Sequence, residues 1–161
     1  MGNQKSRNSG STLGVPRVFT WKLQGTSLMK SQGSTHTAHA LSHHGAKNSD
    51  TYKDSKKRDI THARLLAKFL DKLKATKETD GSSLLDNVTL TFGSNIRVVH
   101  NLTNCPTLIA GRGAGFQQGR HLVMEKDTPL CNLWLSMLHG NGIQADKFGD
   151  SNGVIEELLP A

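Results

Sequence analysis

The sequence predicts an α/β protein, a partial layered sheet with flanking helices, and three observations carry that expectation. Leu66, Phe69, Leu70 and Leu73 stand at i, i+3, i+4 and i+7, and Leu130, Leu133, Trp134, Met137 and Leu138 form a second stripe of helical spacing. Phe19, Trp21 and Leu23 alternate with other residues, as do Val88, Leu90 and Phe92, which is the period of a half-buried strand. A short apolar run over 107–111 supplies a third strand, and interleaving of strands with helices is the signature of a layered sheet. Three short strands leave unpaired edges, so the chain reads as part of a larger architecture or as one that pairs with something else.

Taken in order, residues 1–14 are polar, with Asn, Ser and Gly dominating and almost nothing to bury, a disordered lead-in to a single domain over 15–161. The opening MGNQKS fits an acylation pattern at Gly2 and Ser6, a short match set against that lead-in. The first strand follows over 17–23, then a long polar loop over 25–50. The first strong helix starts near Asp59 or Thr61 as cap, with His62 in its first turn and Lys68, Lys72 and Lys74 off its stripe. Residues 78–87 break it. The second strand occupies NVTLTFGS, a loop of about a dozen residues leads to the third, and the second helix opens at DTP, with Thr128 as cap, Pro129 at its first position and Gly140 at its end.

Composition narrows the partners. Lys and Arg number 20 against 13 Asp and Glu, a net charge of +7, which favours an anionic small molecule or an acidic polymer. Aromatic residues are 5% of the chain and form no basic-aromatic module, which argues against nucleic acid. No apolar run approaches the roughly 20 residues of a membrane helix, and the N-terminus lacks a signal peptide's apolar core. Cys105 and Cys131 read as buried free thiols.

Four of the eight histidines, His36, His39, His43 and His44, fall within THTAHALSHHG. Imidazole is the commonest protein ligand for metals, so the stretch is a candidate site for zinc or another divalent metal, against polar loop residues that bond their own backbone. His36, His39 and His43 share a face if a helix forms, whereas the neighbours His43 and His44 diverge. His100, in the loop between the later strands, and His121, after a Gly-rich run, are the further ligands such a site needs, with Asp50 and Asp54 as alternatives. Gly111, Gly113 and Gly115 with Arg112 and Arg120 suggest an anion site, a backbone cradle for phosphate, although the spacing is not that of a dinucleotide loop. There is no G-x-S-x-G motif and no Walker loop, and no residue stands out as a nucleophile.

The segments RVFTWKL, HALSHHG, HARLLAKFLDKLKAT, DGSSLLDNVTLTFGS, HNLTNCPTLIAG, GRHLVMEKDTPLCNLWLSMLHGNGI and FGDSNG resemble, in this order, the C-terminal part of the bacterial family called domain of unknown function 1552. The resemblance spans nearly all of 15–161 and places His39, His43, His44, His100 and His121 on matching positions. It implies a layout similar to that of alkaline phosphatases and sulfatases, export to the periplasm or cell surface, and a longer protein of which this is a C-terminal fragment. It also implies a metal-dependent hydrolase of phosphate or sulfate esters, with the fragment inactive alone. Where that superfamily carries an Asp-His metal pair this chain reads Gly93-Ser94-Asn95, a departure that weakens the hydrolase expectation. The alternative from another class is a non-catalytic module that binds acidic glycans or cell-surface polymer through Lys56, Lys57, Arg58, Arg112 and Arg120.

Overall fold

The computed structural model describes residues 18–159 except Gln24, His44, Asn95 and Val98. The lead-in over 1–14, the Gly2 pattern, Arg17 and His44 therefore lie outside the described residues. Within them the elements run α1 (Gly25–Ser31), α2 (Ala38–Ser42), α3 (Asp50–Ala75), α4 (Leu84–Asn87), β1 (Leu90–Gly93), β2 (Thr107–Ala110), α5 (Cys131–Gly140) and a 3-10 turn at Glu156–Leu158.

Of the strand expected over 17–23, the described residues 18–23 form none. Residues 18–23 are irregular, with Val18 84% and Trp21 74% exposed, because no neighbouring strand offers its edge to pair with them. The expected loop over 25–50 instead contains α1 and α2. These helices are too short to display a period, yet each buries one apolar side chain completely, Met29 and Leu41. Thr37 caps α2 by accepting from the Ala40 N–H at 3.1 Å, and the Ala38 N–H donates to Thr26 Oγ1, tying α2 to α1.

The long helix starts earlier than its apolar stripe indicates. Ser49 is the cap, accepting from the Tyr52 N–H at 3.2 Å, so α3 has 26 residues, about 39 Å at 1.5 Å per residue. Its first turns are polar and carry no apolar period, which is why Asp59 and Thr61 looked like its beginning. His62 consequently stands in the middle of α3, where burial and the nearby Arg58 lower its pKa. Leu66, Leu70 and Leu73 are half-buried as expected, while Phe69 remains 45% exposed.

The break after α3 is a turn closed by α4, whose Ser83 and Asp86 form a reciprocal capping box. β1 and β2 are the whole sheet of the described residues, an antiparallel pair in register Leu90↔Ala110 to Gly93↔Thr107. The class is therefore α/β in the general sense, with helices flanking a two-stranded antiparallel sheet rather than a layered one.

The Gly-rich run after β2 packs against the end of α4. Arg112 N–H donates to Leu85 O at 3.1 Å, Gly113 N–H to Val88 O at 2.9 Å, Ala114 N–H to Thr89 Oγ1 at 2.6 Å and Gly115 N–H to Arg112 O at 2.8 Å. The amides of Arg112, Gly113, Ala114 and Gly115 are thus spent on internal partners.

Ala114 and Phe116 continue into the core, with Leu133, Ile155 and Leu158, and Trp134 and Met137 pack around them. Here α5 begins at Cys131 without a side-chain cap, because the Thr128 hydroxyl donates backwards to Glu125 O at 2.9 Å and Pro129 lies in the turn before the helix. The buried face is rotated from the apolar stripe: Leu130 is exposed, whereas Asn132, Leu133, Leu135 and Ser136 are buried. Burial of two polar side chains is tolerated because both are bonded. Asn132 Nδ2 donates to Asn152 Oδ1 at 2.8 Å and its Oδ1 accepts from the Asn152 N–H, while Ser136 Oγ accepts from the Ile155 N–H at 2.8 Å and donates to Asn132 O. Ser136→Ala leaves the Ile155 N–H unpaired in the core. Urea unfolding is expected to show a loss of about 1–3 kcal/mol, with a smaller loss indicating that the amide finds another acceptor. Cys105 and Cys131 are free thiols, each partly exposed rather than buried.

Candidate metal centre

Three histidines from two segments converge. His39 lies in α2 and His43 is its C-cap residue, one helical turn apart on the same face. His100 comes from the turn between β1 and β2. Its ring centroid is 4.9 Å from that of His43 and 6.1 Å from that of His39, and the His39 and His43 centroids are 4.6 Å apart. One ring nitrogen from each imidazole lies within 4.8 Å of the others. Three nitrogens around a zinc ion at about 2.1 Å are about 3.4 Å apart in tetrahedral geometry. All three rings are exposed, and holding an ion requires their nitrogens to close to that spacing.

Backbone contacts bring the segments together. The Val99 N–H donates to Ser42 O at 3.0 Å, fastening the β1–β2 turn to the end of α2 beside His43. The Arg97 N–H donates to Asn101 O at 2.9 Å, which narrows the turn around His100. Val99 itself has φ of 55°, in the left-handed region that a β-branched residue enters at a cost of roughly 1–3 kcal/mol. Strain next to a ligand group marks a turn held in place by its surroundings.

Electrostatics suits ligation. Partial desolvation, then the neighbouring His39 and His100, lower the pKa of His43 below the ordinary histidine value. Its neutral, metal-ready form therefore persists to lower pH than for an isolated imidazole. Protonation of this ring opposes the folded arrangement, so its contribution is present above the ordinary histidine pKa and is lost as pH falls toward the lowered one. Metal affinity is expected to fall in the same direction, readable as proton release on metal addition below neutral pH.

His36 takes a different role. Helix α2 begins at Ala38, so His36 falls before it, and its Nδ1 donates to Asp54 Oδ2 of α3 at 3.1 Å. Ser34 Oγ donates to the same carboxylate oxygen and accepts from the His36 N–H. The Ser34 hydroxyl first, and then His36, hold the Asp54 pKa below its usual range. This clasp sets where α2 starts relative to α3 and thereby aims His39 and His43. Asp54 is a positioning residue that sequence patterning did not single out for this role, since nothing in a polar helix face marks one carboxylate among several. Asp54→Ala is expected to weaken zinc binding about tenfold, within the range for groups that orient ligands. Unchanged affinity would show that α2 is held by its apolar contacts alone.

The remaining candidates lie elsewhere. His121 is exposed and stands outside the three-histidine group, and Asp50 pairs with Lys53 at 3.3 Å. Arg112 lines a concavity with Lys74, Lys77 and Gln118 and approaches Asp86 at 3.9 Å. That concavity borders Ala110, whereas His100 follows the Gly93 end of β1, so the two lie beyond opposite ends of the hairpin. Arg120 is committed to Gln117 Oε1 and Glu157 O, each at 2.8 Å, and Arg58 to Asp59 at 3.0 Å. Of the five cations of the polymer-binding alternative, Lys56, Lys57 and Arg58 are consecutive on α3, whereas Arg112 and Arg120 lie in other surroundings. No helix among the described residues is long and apolar enough to cross a membrane. No protein-family model, curated protein or solved structure matches the chain.

Proposed function

We propose that this protein binds one zinc-class divalent ion through His39, His43 and His100, and that the centre serves metal-dependent hydrolysis of phosphate or sulfate esters in an exported protein. The observation that carries the metal reading is the convergence of the three ring nitrogens within 4.8 Å. The ester reading draws on the resemblance to the domain of unknown function 1552 family and its phosphatase-like layout. It gains physical support from the ligand set. Three neutral imidazoles leave the charge of a divalent ion uncompensated, which favours an anionic ligand at a solvent-facing position.

A zinc-class ion supplies a Lewis acid for the ester oxygens. The chain's part is to hold the ion: α2 presents two imidazoles, the Val99–Ser42 hydrogen bond brings the third, and the Asp54 clasp fixes the helix that carries the pair. Among the described residues the group consists of three imidazoles, so the chain's own part in this reading is to hold the ion and an anion beside it. Cobalt serves as a spectroscopic stand-in. The absorption of the cobalt-loaded chain is expected to shift when orthophosphate or sulfate is added. A spectrum indifferent to both anions would leave a metal-holding role and remove the ester reading. Chelator-sensitive hydrolysis of p-nitrophenyl phosphate by this chain would show that the centre turns esters over by itself.

A further inference from the structure

We propose that the exposed groove between α3 and α1 docks an acidic amphipathic helix of a partner protein. It does not depend on the metal centre. The groove has a volume of ≈ 800 Å³ and runs along one face of α3 from Lys53 to Asp71, with Leu28 of α1 and Gln32 just after it on its other side. At 1.5 Å per residue that face is about 27 Å long, the length of five helical turns. Five cationic side chains line it against a single carboxylate, Asp71. Lys53 is paired with Asp50, and Lys57 donates to Gln32 O at 2.8 Å. Lys56, Arg64 and Lys68 have no hydrogen bond or ion pair among the described residues, and they flank apolar side chains that are also uncovered, Ile60 at 42% and Leu65 at 40% exposure.

Charge and shape together select the occupant. Cations beside an apolar trough complement a helix with an apolar stripe bordered by Glu or Asp, the helix-in-groove mode of recognition. A flat bilayer does not follow a trough walled by α1, and an acidic glycan offers no apolar stripe for Leu28, Ile60 and Leu65. The chain's own first 17 residues contain Lys5, Arg7 and Arg17 and no acidic residue, so they are repelled from this face.

The test uses the full chain and a fluorescent synthetic peptide with leucines at helical spacing bordered by glutamates, read by anisotropy. The expected result is saturable, salt-sensitive binding. Arg64→Glu/Lys68→Glu and Leu65→Ser should each weaken it at least about tenfold, equivalent to 1.4 kcal/mol, with unchanged circular dichroism, and His100→Ala should leave it intact. The proposal is overturned if the peptide does not bind, or if a proline-broken version or polyglutamate binds as tightly. Preference for phosphatidylserine vesicles would overturn it too, as would variants that bind like the parent.

Discussion

Replacing His100 by alanine is expected to weaken zinc binding at least about a hundredfold, beyond what is usual for loss of a group that only supports a ligand. The remaining pair, His39 in the five-residue α2 and His43 at its C-cap, offers two nitrogens, too few for a tetrahedral centre. The effect should be confined to the metal-loaded protein. His100 is exposed and its neighbours are held by backbone bonds from Val99 and Arg97, so the metal-free variant should unfold within about 0.5 kcal/mol of the parent. Zinc at a hundred times its dissociation constant stabilises the parent by about 2.7 kcal/mol. For a chain of this size each kcal/mol moves Tm by roughly 2–4 °C. The parent should therefore gain several degrees with zinc and the variant almost none, a difference read by thermal melts with and without chelator. A variant that gains as much as the parent would place the ion elsewhere.

The largest effect on the fold is expected from Gly111→Ala. Gly111 has φ of 87°, where any side chain is strained, and a Cβ there would stand 2.2 Å from Val88 O and 3.1 Å from Leu85 O. Both carbonyls belong to the segment whose acceptors bind the Arg112 and Gly113 amides, so neither can retreat without breaking a hydrogen bond. Positive-φ strain and backbone overlap together should cost about 4 kcal/mol, near the top of the range for single substitutions. Urea denaturation reads this directly. Gly115→Ala is the control: its φ of 73° brings the same kind of strain, but nothing lies within 4 Å of its Cβ, so its loss should be clearly smaller. Equal losses at the two positions would mean that strain alone, and not the approach to α4, explains the glycine.

Much of the helical part was legible because burial leaves a period. The stripe through Leu66, Leu70 and Leu73 marked the second half of α3, and the apolar run at 133–138 marked α5. What escaped was structure fixed by single hydrogen bonds. The start of α3 depends on the Ser49 hydroxyl, and the short α1 and α2 depend on one buried side chain each. Alternation at Phe19, Trp21 and Leu23 looked like a strand, yet alternation supplies no partner, and the two real strands pair with each other. For the site, helical spacing put His39 and His43 on one face, but it also included His36, which the helix start at Ala38 excludes and which serves the Asp54 clasp. The approach of His100 rests on a backbone bond between Val99 and Ser42, a contact no side-chain pattern announces. In the Gly-rich run, Gly111 and Gly113 serve close packing against the end of α4, and Arg112 and Arg120 stand in separate surroundings.

Calorimetric titration of the metal-free full chain with zinc tests the three-histidine centre most directly. It should show saturable binding of one ion per chain, retained in His121→Ala and lost in both His43→Ala and His100→Ala. Absence of saturable binding, or binding that His100→Ala leaves unchanged, would contradict the centre.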